Sequence, residues 1–145
     1  MKKLLLASIL FVFACSNDDN SNTNSDPIVG TWEFFYSEGL NTSNVWYGSF
    51  ETEIGDFTYI FKSDGSYDVT DSGVLYQNVG TWTNNGNNIY KITQDEDEYF
   101  DGIEFLCSNN ILVYDEDVES TNFEYYQKEG YNYQNCNEIT YNANN

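Results

Sequence analysis

The chain contains no histidine and no arginine, and its five cations are all lysine. The first absence removes any imidazole base and any histidine ligand for zinc or copper. Five cations stand against 24 acids, a formal charge of −19. Nothing is left to neutralise phosphates, so nucleic-acid binding is excluded, and docking on an anionic lipid surface is disfavoured. Proline occurs once and aromatic residues make up 18% of the chain, which is neither a collagen-like nor a disordered composition. Nowhere does the three-to-four-residue apolar spacing of an amphipathic helix recur. The length of 145 residues leaves room for one domain.

Residues 1–14 have the order of a secretory leader. Lys2 and Lys3 form a positive start, and the apolar run from Leu4 to Phe13 is too short for a membrane span of about 20 helical residues. It ends in Val12-Phe13-Ala14-Cys15, which resembles the lipobox of bacterial lipoproteins. That resemblance implies cleavage before Cys15 and acylation of its sulfur and new amine. Each buried methylene then contributes roughly 0.8 kcal/mol, so several chains anchor firmly. Loss of Lys2 and Lys3 leaves three cations against 24 acids, a net charge of −21. Ser16 after the lipobox, with Asn17-Asp18-Asp19-Asn20, resembles the sorting and export signals of outer-membrane, surface-exposed lipoproteins. Residues 15–27 are then a lipidated cysteine and a polar, disordered tether, and 28–145 the folded domain with its C-terminal tail.

Within that domain, short alternating segments rich in Tyr, Phe, Trp, Val, Ile and Thr are separated by Gly, Asn, Asp and Ser. Nine strands are predicted: 28–36, 45–53, 57–62, 66–70, 75–83, 88–93, 99–107, 111–114 and 122–128. Ser63-Asp64-Gly65, Asn84 to Asn87 and Ser108-Asn109-Asn110 are hairpin turns. The prediction is an all-β fold, a single antiparallel up-and-down barrel of eight to ten strands, because closure removes the sheet edges.

Alternation also predicts the faces. Ile28, Gly30, Trp32, Phe34 and Tyr36 share one face of the first strand, and Glu33 keeps the other face wet. Phe57, Tyr59 and Phe61 turn inward, as do Tyr67 and Val69, then Tyr99, Ile103 and Phe105, then Phe123 and Tyr125. Asp101 falls on an inward position, which a bulge at Gly102 or a functional role would explain. Gly30 and Gly80 leave room for an indole to cross the neighbouring strand.

Ile28-Val29-Gly30-Thr31-Trp32, the later Gly80-Thr81-Trp82, and Phe61-Lys62-Ser63-Asp64-Gly65-Ser66-Tyr67 between them form a recognisable order. It resembles the lipocalin-like domains of bacterial surface lipoproteins and, more distantly, the lipocalins. The resemblance implies a barrel whose apolar interior holds a small hydrophobic molecule, with Trp32 plugging the base. It also implies an arginine over that tryptophan, which this chain lacks, and a C-terminal helix, which is not evident in the sequence.

With Cys15 acylated, Cys107 and Cys136 are left to pair in an oxidising compartment, tying the tail to the sheet. The acids Asp71, Asp95, Asp97, Asp115 and Asp117 fall in loops at one end of such a barrel, where they are either solvated or a weak Ca²⁺ site. Tyr125-Tyr126, Tyr131, Tyr133 and Trp46-Tyr47 are candidates for a sugar-stacking platform, although most rings alternate inward.

The function expected is therefore a monomeric, non-catalytic lipoprotein, with no obligatory cofactor. It binds a small hydrophobic or amphipathic molecule against Trp32, Phe34, Tyr59, Phe61, Tyr67, Trp82, Ile103, Phe105 and Tyr125. The alternative is a module that binds glycan or protein through its rim loops around a filled barrel. A carboxylate-based glycosidase is more distant, since no spacing singles out a pair of acids.

Overall fold

The structure is a computed structural model, and it describes residues 25–95, 97–115 and 121–143, with the backbone alone at 100 and 101. The leader, Cys15, most of the tether and Asp117 lie outside the described residues. Nine strands follow in chain order: β1 (Gly30–Leu40), β2 (Trp46–Phe50), β3 (Phe57–Phe61), β4 (Ser66–Asp71), β5 (Val74–Asn84), β6 (Ile89–Gln94), β7 (Asp97–Leu106), β8 (Ile111–Asp115) and β9 (Asn122–Lys128). From β3 to β9 each strand pairs antiparallel with the next, and β9 returns to β1. β1 and β3 to β9 thus close an eight-stranded up-and-down barrel with lipocalin-like topology. β2 lies outside the ring. It pairs with Tyr36–Leu40 of β1, whereas β3 takes Gly30–Glu33.

The turns form where side chains replace ladder hydrogen bonds. Asp64 Oδ1 accepts from the Ser66 amide at 2.9 Å and its hydroxyl at 2.7 Å, and Gly65 takes φ +86°. Asn84 Oδ1 accepts from the Gly86 amide at 2.7 Å in the next hairpin at that end. At the third, Cys107, Ser108 and Asn109 all adopt positive φ.

Two apolar clusters sit on opposite faces of the wall. The first fills the barrel and is built on Trp32, Phe61, Tyr67, Trp82, Tyr90, Ile103 and Tyr126. Full burial of each large side chain contributes about 1.5–3 kcal/mol. The second lies outside, where Phe35, Tyr36, Ile111, Val113 and Tyr125 are covered by Tyr131, Tyr133, Ile139 and Tyr141 of the tail. The Cys107–Cys136 disulfide staples this tail down. Its far end is held by Glu38, buried on the outer face. That carboxylate accepts from Tyr125 Oη at 2.7 Å, from the Asn142 amide at 2.7 Å and from the Ala143 amide at 2.9 Å. The covering segment is irregular, apart from a short 3₁₀ turn at Tyr133–Asn135.

Two predicted faces are corrected. The register of β1 against β9 slips between Phe34 and Tyr36, so Phe34 points inward while Phe35 and Tyr36 both join the outer cluster. In β9, Tyr126 faces the interior and Tyr125 the outer cluster, the reverse of the expectation. Both faces of β9 are covered, so polarity does not mark the outside. The bulge proposed at Gly102 is absent, since the pairing of β7 runs unbroken through it on both sides. The Asp101 side chain lies outside the described residues. Neither glycine makes room for an indole. Beside Gly80 lies the Tyr67 ring, and beside Gly30, at φ +144°, lies the Lys128 side chain.

Candidate functional site

The two ends of the barrel differ. At the base the chain enters through Asp26, whose carboxylate accepts from Tyr90 Oη at 2.8 Å and Asn84 Nδ2 at 2.7 Å. Burial, and then Asp26 beside it, push the Tyr90 phenol well above its usual range. Trp32 Nε1 donates to the Ile28 carbonyl at 2.6 Å, and Trp82 Nε1 to the Lys62 carbonyl at 3.1 Å. Both indoles thus satisfy their one donor while closing the floor. Lys128, from the last strand, places its ammonium 5.4 Å from the centroid of a Trp32 ring. A lysine therefore takes the position for which the resemblance implied an arginine.

The opposite half is open. A cleft of about 350 Å³ is walled by Phe34, Phe57, Tyr59, Tyr114 and Tyr126, with Glu51, Asp56 and Glu124 among them. A second cleft, of about 270 Å³, shares Phe57 and Tyr59 and continues to Val69, Tyr76, Val79 and Asp71. The Phe57 and Tyr59 rings meet edge to face, with centroids 5.1 Å apart, and form the partition. Tyr59 and Tyr126 lie 5.6 Å apart, Phe34 and Tyr126 5.3 Å. The Tyr126 hydroxyl donates to Glu124 Oε2 at 2.6 Å. Burial, then Glu124, hold that phenol well above its usual range. It stays a neutral donor and fixes the carboxylate's position.

Of the nine residues predicted to meet a ligand, Phe34 and Tyr59 line this cleft. Trp32, Phe61, Tyr67, Trp82 and Ile103 are buried in the filled lower half, and Phe105 packs partly buried against them. Tyr125 is on the outer face, hydrogen-bonded to Glu38. Sequence reasoning missed Tyr114, Tyr126, Glu51, Asp56 and Glu124. The hairpin register would have found Tyr114, which lies opposite the inward Ile103. Glu51 and Asp56 sit in the irregular connection after β2, where alternation carries no information.

Of the predicted loop acids, Asp71, Asp95, Asp97 and Asp115 stand at or beside the strand ends of the open half, and Asp117 lies outside the described residues. Asp71 faces the second cleft, whereas Asp115 borders a groove on the outside of β7 and β8 with Gly102 and Phe123. Among the described residues, no group of three or more His, Cys, Asp or Glu is placed to hold a metal ion. The proposed sugar platform is dispersed. Tyr125 and Tyr126 are buried on opposite faces, Tyr131 and Tyr133 pack from the tail onto the outer cluster, and Trp46 stacks on Phe123 while Tyr47 is exposed. Among the described residues no helix is long and apolar enough to cross a membrane.

Compared with known proteins, the chain matches no family model, no curated protein and no solved structure. Its lipocalin-like topology rests on its own strand order and closure.

Proposed function

We propose that the protein is a non-catalytic, lipid-anchored binding protein that holds a small amphipathic molecule in the open half of its barrel. The observation that carries this reading is the ring-walled cleft above a filled floor: apolar faces surround it, while carboxylates sit where the ligand's polar end would lie. Attachment to the outer membrane through acylated Cys15, with display at the surface, is proposed from the leader and lipobox. An uncharged dye such as N-phenyl-1-naphthylamine should brighten and shift to the blue on the full chain. Phe34→Ala and Phe57→Ala should weaken its binding severalfold without changing the far-ultraviolet spectrum. A dye that stays dark with the folded protein ends this reading. Labelling with radioactive palmitate should be lost in Cys15→Ser.

A second reading, a contact surface at the rim, is supported by Val74, Leu75 and Tyr76. They stand about half exposed on β5, and Tyr76 also lines the second cleft.

A further inference from the structure

We propose that the outer edge of β2 takes up an extended, lysine- or arginine-rich segment of another polypeptide, which adds to the sheet as a further strand. The inference rests on that edge alone and is independent of what the cleft holds.

β2 is the terminal strand of the sheet. Its inner side pairs with β1 without a break, from Tyr36 opposite Phe50 to Leu40 opposite Trp46. The bonds just beyond the two ends of this ladder set its phase. The Glu51 amide donates to the Phe35 carbonyl at 2.9 Å, and the Asn41 amide to the Val45 carbonyl at 3.1 Å. Hydrogen-bonded positions alternate along an antiparallel pair. Tyr47 and Ser49 therefore bond to β1, while Trp46, Gly48 and Phe50 turn their N–H and C=O groups away from it. β1 obeys the same alternation: the Leu40 amide, opposite Trp46, donates to the Thr121 carbonyl on the side of β9 at 3.0 Å. Among the described residues nothing answers the outward groups of β2.

Exposed sheet edges are commonly blunted by lysine, proline or a bulge. Trp46-Tyr47-Gly48-Ser49-Phe50 contains neither residue, and its ladder carries no bulge. The edge is also braced. Trp46 stacks on Phe123 with centroids 6.0 Å apart, and Phe50 lies 4.5 Å from Tyr36 and 5.6 Å from Tyr141. A strand fixed in advance loses little freedom when another pairs with it. Val45, Tyr47, Phe50 and Ile54, on and beside it, are exposed, so an incoming strand meets apolar side chains as well as backbone.

Charge decides the occupant. Glu51, Glu53 and Asp56 follow β2, and all three are exposed. Among the described residues the ion pairs are Lys62–Asp68 and Lys91–Glu98, so none of the three is paired with a lysine. A second copy would bring its own acids to the edge, in a chain of formal charge −19. A cationic strand meets complementary charge there.

The test uses the full-length chain in detergent and a short blocked peptide of alternating lysine and valine. Fluorescence polarisation of the dye-labelled peptide should show saturable binding. Two counterparts should bind at least about tenfold more weakly: a glutamate–valine peptide, and a lysine–valine peptide methylated on its backbone nitrogens, which keeps the charge and loses the donors. With peptide at saturation, amide hydrogen exchange should slow at Trp46, Gly48 and Phe50 and change little at Tyr47 and Ser49. Tyr47→Lys should weaken binding severalfold, whereas Tyr99→Lys, the same exchange at an exposed position on β7, should not. Absence of binding by the lysine–valine peptide overturns the inference. Equal binding of the methylated peptide would mean attraction to charge alone and overturns it too, as does slowed exchange that leaves β2 untouched. Equal binding of the glutamate–valine peptide rejects the cationic occupant and with it the proposal. A chain that sediments as a dimer until Tyr47→Lys is introduced has itself for occupant, which also overturns it.

Discussion

Lys128 reaches across the barrel floor so that its ammonium lies over the Trp32 indole, 5.4 Å from a ring centroid. Its stem also fills the space beside Gly30, where an added Cβ would come within 3.1 Å of Lys128 Cε. First and last barrel strands are thereby joined at the seam by a charge and a ring. Lys128→Met should keep the packing and lose the cation–π contact, lowering stability by about 0.5–2 kcal/mol in denaturant unfolding. Lys128→Arg should retain most of it, since a guanidinium stacks on indole at least as well.

The Cys107–Cys136 bridge spans 29 residues of sequence. Loop-closure entropy assigns such a cross-link about 3–4 kcal/mol. Cys136→Ser, or reduction of the native protein, should lower the unfolding free energy by that order. It should also loosen Tyr131 and Tyr133, which pack from the same tail onto the outer cluster. Hydrogen exchange should then rise over residues 131–143 before it rises in the barrel strands.

At Gly80 a Cβ would collide with the Thr93 carbonyl and lie 2.8 Å from the Tyr67 ring. One obstacle is backbone of the neighbouring strand and cannot rotate away. Gly80→Ala should cost about 1–3 kcal/mol, read as a lower denaturant midpoint, although alanine is otherwise the mildest replacement.

Alkaline pH acts on the tyrosines. Burial is the leading cause raising the phenols of Tyr36, Tyr90, Tyr125, Tyr126 and Tyr141 above 10.0, and Tyr141 is pushed up to about 12. These groups stay protonated in the fold and ionise at 10.0 once unfolded. Their contribution to stability is therefore complete below pH 10 and is lost as pH climbs through the higher folded values. Spectroscopic titration should show this buried set ionising in one step that coincides with loss of the fold.

Asp68 makes the opposite prediction. It is held below 3.8, chiefly by the Lys62 ammonium at 2.6 Å and also by the Asn78 amide at 2.7 Å. This contribution is present above pH 3.8 and is lost as pH falls through the lower folded value. Asp68→Asn should lower the melting temperature at neutral pH, and its gap from the parent should narrow in acid. The affected region is the irregular pairing of β4 with β5, where Asn78 adopts φ +52°.

Strand positions were legible because each alternating run ends in residues that make turns. Asp64-Gly65 and Asn84 with Gly86 do so by hydrogen bonds that are local in sequence. The disulfide followed from counting cysteines once one had been assigned to lipid. Facing was legible where a charged residue separates two apolar ones, as in Tyr67-Asp68-Val69, although Asp68 is itself buried against Lys62 and the Asn78 amide. Phe34-Phe35-Tyr36 is a run of three rings and carries no parity, so the slip that turns Tyr36 outward leaves no mark. In Phe123-Glu124-Tyr125-Tyr126-Gln127-Lys128 the charged residues suggested the outer face. Yet Lys128 closes the floor and Glu124 borders the cleft, while the uncharged alternate lies under the tail. The cleft was half visible for the same reason. Its rings come from strands, whereas two of its acids come from an irregular connection whose position depends on the closed barrel.

Asp26 belongs to the plugged floor, held there by Tyr90 and Asn84. Whatever precedes it in the chain is therefore attached at the pole farthest from the cleft. A surface that grips the N-terminal segment holds the barrel by the pole opposite its cup. Traffic in and out then needs no passage between protein and support.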